Sequence, residues 1–468
     1  MAGLPDVARV LLCLACVAST VHAQTPRDQP APQGLTLAQA MQYASDHYPA
    51  VRAALEQVTA SAANVGVARS AYLPRLDSLW QSHRGTANNI FGQILPQSVI
   101  PALTGPVLPA ASDDSVWSSA TGALFSWEPV DFGLRSAAVA SADAAVTQAQ
   151  ANQALTRLDV QRLVASAFLD VVAAERAVTA AQADFDRRTL LAQTVHTLVD
   201  NQLRPGADAS RIDAERAASQ TRLIRAQESL ALGQTSLVRA LGAMPGPIRI
   251  DASNLLAEAP ARDVTAEPPS AHPLAQVRQA AVETAQAQQH VLARTDLPRF
   301  LVQSSVFARG SGASPSGVFD GSASGLGLDR VNWAAGVQIV FPNVFDFSSL
   351  RAREAAAAAF ERSAAALYDE ALLTIASQHQ AAAAVVRAAR AVAANTPVQL
   401  AAAQQSEAQA RARYESGLAS VVEIADAQGL LAQADVQDQI ARIDVWRALL
   451  AEAVASGDLA DFMSLIHQ

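Results

Sequence analysis

The chain has 468 residues, half of them hydrophobic but only 5% aromatic, and the surplus is alanine. Alanine is the best helix former yet buries little area, so this composition favours long, closely packed helices over a thick globular core. A net charge of −9 argues against a nucleic-acid partner, which calls for a basic stripe.

Residues 1–23 read as a secretory signal. Arg9 precedes an apolar core, Val10 to Val17, and Val21-His22-Ala23 fits a small-x-small cleavage pattern before Gln24. That core is too short to span a bilayer. Both cysteines, Cys13 and Cys16, fall inside it, so the mature chain is expected to hold no disulfide and no cysteine metal site. A rival reading with Cys16 as a lipidated N-terminus stays open. Residues 24–34 form an extended Pro/Gln-rich leader. Leu35-Thr36-Leu37-Ala38-Gln39 then predicts a helix start, with Thr36 as N-cap, Gln39 closing a capping box and Leu35 as staple. This helix should end near His47-Tyr48-Pro49, because the residue before a proline is pushed out of the α region. A second runs from about Ala50 to Tyr72.

Strand chemistry takes over at Pro74. Val116 to Trp127 alternates, with Trp117, Ser119, Thr121, Ala123, Phe125 and Trp127 on one face. Val331 to Phe341 does the same with Trp333, Ala335, Val337, Ile339 and Phe341. Their partners are less regular, Leu76 to His83 and Phe300 to Arg309. Each alternating run has the length of a tilted membrane strand, with aromatics near its ends, where lipid headgroups lie. Two hairpins in a soluble sheet would alternate in the same way; the secretory signal and the duplication described below favour the membrane. No other stretch offers ~20 lipid-facing residues, so a membrane-embedded form would have to use strands. The apolar loop Asn89–Pro109 could fold over a pore or touch neighbours. Gly310 to Gly327 reads as an external loop.

From Gly133 to about Val199, and again from Ser348 to about Tyr414, long helices are predicted, each ~100 Å at 1.5 Å per residue. Leu191, Val195 and Leu198, and later Val436, Ile440, Ile443 and Leu450, keep narrow seams suited to coiled-coil packing. Pro397 should kink the second long helix or restart it with Asn395 or Thr396 as a new cap. Asn201 to Asp208 and Ser416 to Ser420 reverse the helices, and Gly206 and Gly417 are expected to accept positive φ there.

These elements occur twice. Leu73-Pro74-Arg75 returns as Leu297-Pro298-Arg299, Leu134-Arg135 as Leu350-Arg351, and Gly206 finds its partner in Gly417. The domain reading is therefore a first repeat, 35–255, with strands at about 74–86 and 115–128 and a long hairpin at 133–242. A second repeat, 256–468, has strands at about 298–310 and 330–341 and a hairpin at 348–457. The fold class is mainly α with a transmembrane β-barrel part. No catalytic or cofactor site is expected: the eight histidines are scattered with no i, i+4 metal pair, and no glycine loop precedes a helix to cradle phosphate.

The order signal, leader, helix, strand–loop–strand and long hairpin, then the last parts again, resembles the TolC-like outer-membrane efflux family. Its most specific carriers are Asp131-Phe132-Gly133-Leu134-Arg135, Asp346-Phe347-Ser348-Ser349-Leu350-Arg351 and the hairpin tips. The resemblance implies a homotrimer in the outer membrane of a Gram-negative cell. Four strands from each chain would close a barrel in outer-membrane lipid, with a hollow α-barrel in the periplasm. A periplasmic adaptor and an inner-membrane transporter would open and drive the duct. The family carries a tyrosine, a glycine three residues on, an arginine at +5 and acidic residues at +9 and +12. Tyr414, Gly417, Glu423 and Asp426 match, but Ala419 stands at the arginine position. By this resemblance Glu423 and Asp426 form stacked acidic rings at a periplasmic gate, with Tyr414 and Asp213 in its closed-state network. Asp213 lies one residue beyond the family spacing from Gly206. Gly206, Gly417 and Leu418 mark tips where an adaptor docks, and Trp117, Trp127, Trp333 and Phe341 mark the membrane interfaces. The alternative, a periplasmic adaptor or coiled-coil structural protein, would show one hairpin inserted in a small β-domain, without a tandem copy. Drugs, metals and proteins all remain open as cargo.

Overall fold

The computed structural model describes residues 32–86, 88, 95, 97–100, 113–256, 267–313, 321–342 and 346–466. The expected signal segment with Cys13 and Cys16, and most of the leader, lie outside the described residues. So does most of the 84–115 loop. Helices α1 (Leu37–His47) and α2 (Pro49–Ser70) lead into strands β1 (Arg75–Thr86) and β2 (Ser115–Val130). The long helices α3 (Leu134–Asp200) and α4 (Gly206–Ala240) follow. The order then returns as α5 (Pro273–Leu292), β3 (Arg299–Ser311), β4 (Arg330–Val340), α6 (Phe347–Glu415) and α7 (Val421–Ser456). A short α8 (Ala460–Ile466) closes the described chain.

Local chemistry sets the boundaries. The Thr36 hydroxyl accepts from the Gln39 N–H at 3.3 Å while the Gln39 side chain accepts from the Thr36 N–H at 3.1 Å, a reciprocal cap on α1. Pro49 and Pro273 open α2 and α5, where a missing N–H costs nothing. Helices α3 and α6 run unbroken for 67 and 69 residues, each about 100 Å. The expected restart at Pro397 does not occur: the helix continues through it. Proline removes the donor to the Ala393 carbonyl, while the neighbouring Thr396 hydroxyl donates its one proton to Asp438 on α7 at 3.0 Å and ties the helix to α7 at this point. Thr396 is thus an interior residue of α6 and not the cap of a new helix.

The main core is a band around the middle of the helices. Leu37 and Met41 of α1, Val164, Phe168 and Leu169 of α3, Leu237 and Leu241, Trp446 and Leu449 of α7, and Phe462 of α8 pack there. Trp446 donates its indole N–H to the Leu255 carbonyl at 3.1 Å, tying the inter-repeat segment to the band. The four strands form one antiparallel sheet in the order β1-β2-β3-β4, so β1 and β4 are its two edges.

Between sheet and helices the chain turns through Phe132 (φ 52°) and Gly133 (φ 94°). Asp131 fixes this corner. Its carboxylate accepts from the Gly133 and Arg135 N–H groups at 3.2 and 2.6 Å and pairs with the Arg135 guanidinium at 2.9 Å. Arg135 in turn donates to the Ala71 carbonyl at 3.2 Å and lies 4.7 Å over the Tyr72 ring, joining α3 to the end of α2. Burial alone would raise the Asp131 pKa; the hydrogen bonds from Arg135 and Gly133 outweigh it and hold the carboxyl below its ordinary value. Asp131 therefore stabilises the fold fully above the ordinary carboxylate range, and that contribution is lost as pH falls through its lowered value. Asp131→Ala removes a cap and leaves buried Arg135 without its carboxylate, a cost of about 3 kcal/mol in denaturant unfolding at neutral pH. The difference from the parent protein should shrink in strongly acidic buffer.

Candidate functional site

Two regions hold the sequence-derived site residues: the hairpin tips and the sheet. At the tips, α3 and α6 end in the same way. The Leu203 N–H donates to the Leu198 carbonyl and Gln202 to Val199, both at 2.8 Å; Leu418 donates to Arg413 and Gly417 to Tyr414, at 2.8 and 3.0 Å. This is the double bond pattern of a helix stop with one left-handed residue. That residue is Gly417 (φ 76°) in the second tip but Gln202 (φ 60°) in the first. The expectation that Gly206 takes positive φ is corrected: Gly206 is the first helical residue of α4, after Pro205. The structural counterpart of Gly417 is therefore Gln202, four residues before Gly206.

This registration changes the assignment of the tip residues. Counted from Gln202, the residue equivalent to Ala419 is Arg204, and the one equivalent to Glu423 is Asp208. Arg204 reaches across to the other hairpin. It donates to the Tyr414 carbonyl at 3.0 Å and the Ala419 carbonyl at 3.5 Å, with its guanidinium 4.6 Å from the Tyr414 ring centroid. Tyr414 is buried among Leu191, Val195, Ile212, Val421 and Ile424. Burial pushes its phenol up; nearby Arg204 opposes this and Asp208 adds to it. Asp213, expected beside Tyr414, instead accepts from His196 of α3 at 3.1 Å and lies 3.8 Å from Arg216.

Glu423 and Asp426 share one exposed face of α7. Ser420 caps the helix by accepting from the Glu423 N–H at 3.4 Å, and Arg413 stands 3.6 Å from the Glu423 carboxylate. Asp426 borders a groove of about 800 Å³ between α3, α4 and α7. A buried network lines the same groove: Arg188 pairs with Asp184 at 3.0 Å and Glu215 at 2.9 Å, and Arg222 with Asp184 at 2.8 Å. Leu418 is 72% exposed at the outermost turn.

In the sheet, register places unlike chemistry on the two faces. Trp80, Thr121, Ala308 and Val331 form one row, and Ala123, Val306 and Trp333 the next, with Phe125, Val302, Val337 and Ile339 on the same side. Trp80 and Trp333 are 72% and 78% exposed. The opposite side carries Asp77, Gln81, His83, Gln303, Ser305, Asn332 and Gln338. Trp117 and Trp333 sit toward the loop end of the sheet, Trp127 and Phe341 toward the helix end. The Trp127 indole donates to the Tyr72 carbonyl at 3.1 Å, and Arg84 lies 5.9 Å from the Trp117 ring. Trp80 was missed from sequence because β1 alternates poorly, although an isolated tryptophan within a strand was the available signal.

No protein-family model and no curated protein sequence matches the chain. Solved structures do. The outer membrane protein VceC of Vibrio cholerae superposes with a TM-score of 0.69 at 19% identity, over 90% of this chain and 96% of that one. The open state of the MtrE outer membrane channel of Neisseria gonorrhoeae gives 0.70 at 18%, over 90% and 89%. CusC, described for its folding and transmembrane channel formation, gives 0.73 at 14%, over 90% and 92%. The chain has the TolC-like fold. Within the TolC-like fold of this chain, the tip arginine comes from the first repeat instead of the second. Arg204→Ala removes two carbonyl contacts and a cation over an aromatic face, about 1–2 kcal/mol of local stability. Hydrogen exchange should then quicken about tenfold at the amides of residues 412–420, with amides in the middle of α3 unchanged.

Proposed function

We propose that three copies of this chain form a passive exit duct through the outer membrane. A periplasmic adaptor would open it and an inner-membrane transporter would drive it. The observation that carries this reading is the sheet: apolar and exposed on one face, polar on the other, with unpaired edges at β1 and β4. Hydrocarbon tolerates strands only when no edge is left open, and closure by further copies meets that demand. The polar face then lines water and the tryptophan face meets lipid. Two helical hairpins per chain, about 100 Å long, continue the wall into the periplasm.

Glu423 and Asp426 supply the charge of the gate in this reading. Stacked rings of carboxylates in a narrow throat attract cations and repel anions. Arg204 and Tyr414 hold the two tips of one chain together, so opening would require this contact to loosen. Leu418 offers an apolar contact for an adaptor.

The test is direct. The protein should fractionate with outer membranes as a heat-modifiable oligomer and pass ions in planar bilayers. Glu423→Gln with Asp426→Asn should reduce cation preference severalfold and weaken block by multivalent cations. Unchanged selectivity removes these residues from the throat, and release with soluble periplasm removes the duct.

A further inference from the structure

The polar face of the sheet carries an apolar island. Leu79, Gly122 and Phe307 stand in one row across β1, β2 and β3, flanked by Ala120 and Leu124. In a water-lined barrel such a patch would be left wet. It is instead covered by Val99 and Ile100 of the β1–β2 loop, which are 8% and 2% exposed. The seat is shaped for this segment. A side-chain carbon at Gly122 would stand 3.1 Å from Ile100 Cγ1 and 2.8 Å from Phe307 Cβ, so glycine provides the room that Ile100 occupies. The segment is also rigid in itself. The Gln97 side-chain oxygen accepts from the Val99 and Ile100 N–H groups, the latter at 2.8 Å, and its amide donates to the Ile100 carbonyl at 2.6 Å. Ser98 is exposed and lines a pocket beside the sheet with Leu124, Ser305 and Gly336.

We propose that Gln97–Ile100 is a constriction inside the barrel that sets the size limit of the duct at its membrane end. The proposal rests on the trimeric pore reading above. Twelve strands spaced at about 4.8 Å and tilted by about 40° enclose a backbone diameter of roughly 24 Å. A backbone layer packed on a sheet stands about 10 Å from it. Three such segments, one per chain, therefore reach to about 2 Å from the axis and narrow the bore almost to closure. The loop that the sequence alone allowed either over a pore or against neighbours thus has its described part inside.

Two measurements on the full chain test this. In detergent, Ile100→Cys with Phe307→Cys, with Cys13 and Cys16 replaced by alanine, should form a disulfide within one chain on mild oxidation. In planar bilayers, Val99→Ser with Ile100→Ser should raise single-channel conductance at least twofold, with the heat-modifiable oligomer retained. A charged thiol reagent on Ser98→Cys should lower conductance by at least half. Absence of the disulfide overturns the seat whether or not the protein conducts. A disulfide with unchanged conductance in both bilayer variants overturns the constriction while leaving the pore. A disulfide in a protein that passes no ions at all sinks the pore reading, and the constriction with it.

Discussion

A four-stranded sheet with two open edges and an apolar outer face is an unfinished object, and the rest of the molecule is organised around finishing it. Backbone N–H and C=O groups on β1 and β4 lack partners in the single chain. In water such edges invite aggregation; in hydrocarbon each unpaired group costs several kcal/mol. In the proposed duct, closure into a barrel would answer both problems and fix the direction of everything attached. Asp131 and Arg135 transmit that direction, since they clamp the start of α3 to the end of α2 just below the sheet. The mid-helix band around Phe168 and Trp446 then holds the hairpins in register.

The molecule uses its duplicated plan unequally. Both tips end with the same bond pattern, yet only the first carries an arginine at the crossing position, and it grips the tyrosine of the second. A contact between repeats of one chain couples the two hairpins before any neighbouring chain is involved. Burial of Tyr414 and the buried pairs around Asp184 make the lower helices stiff, while Glu423, Asp426 and Leu418 stay exposed.

Much of this was legible in the amino-acid order. Period-two alternation between Val116 and Trp127, and between Val331 and Phe341, marked strands because one face is apolar and the other is not. The Thr36 and Gln39 cap was equally plain. The tips were not. Aligning glycine with glycine set Gly206 against Gly417, but a glutamine occupies the left-handed position in the first tip, so the register of the two tips was set four residues off. Alignment on the helix starts, Gly206 with Val421, would have exposed both Arg204 and Asp208. The restart at Pro397 failed for a different reason: proline's missing N–H costs one bond inside a 69-residue helix, and the turns on either side carry the helix through.

The central claim is that β1 of one copy completes β4 of the next, and that the ring closes at three. Cysteines scanned along the two edges, such as Ser78→Cys against positions around Ala335→Cys, should on oxidation give a covalent ladder that stops at the trimer. A ladder running beyond three, or bonds formed only within one chain, would contradict the account.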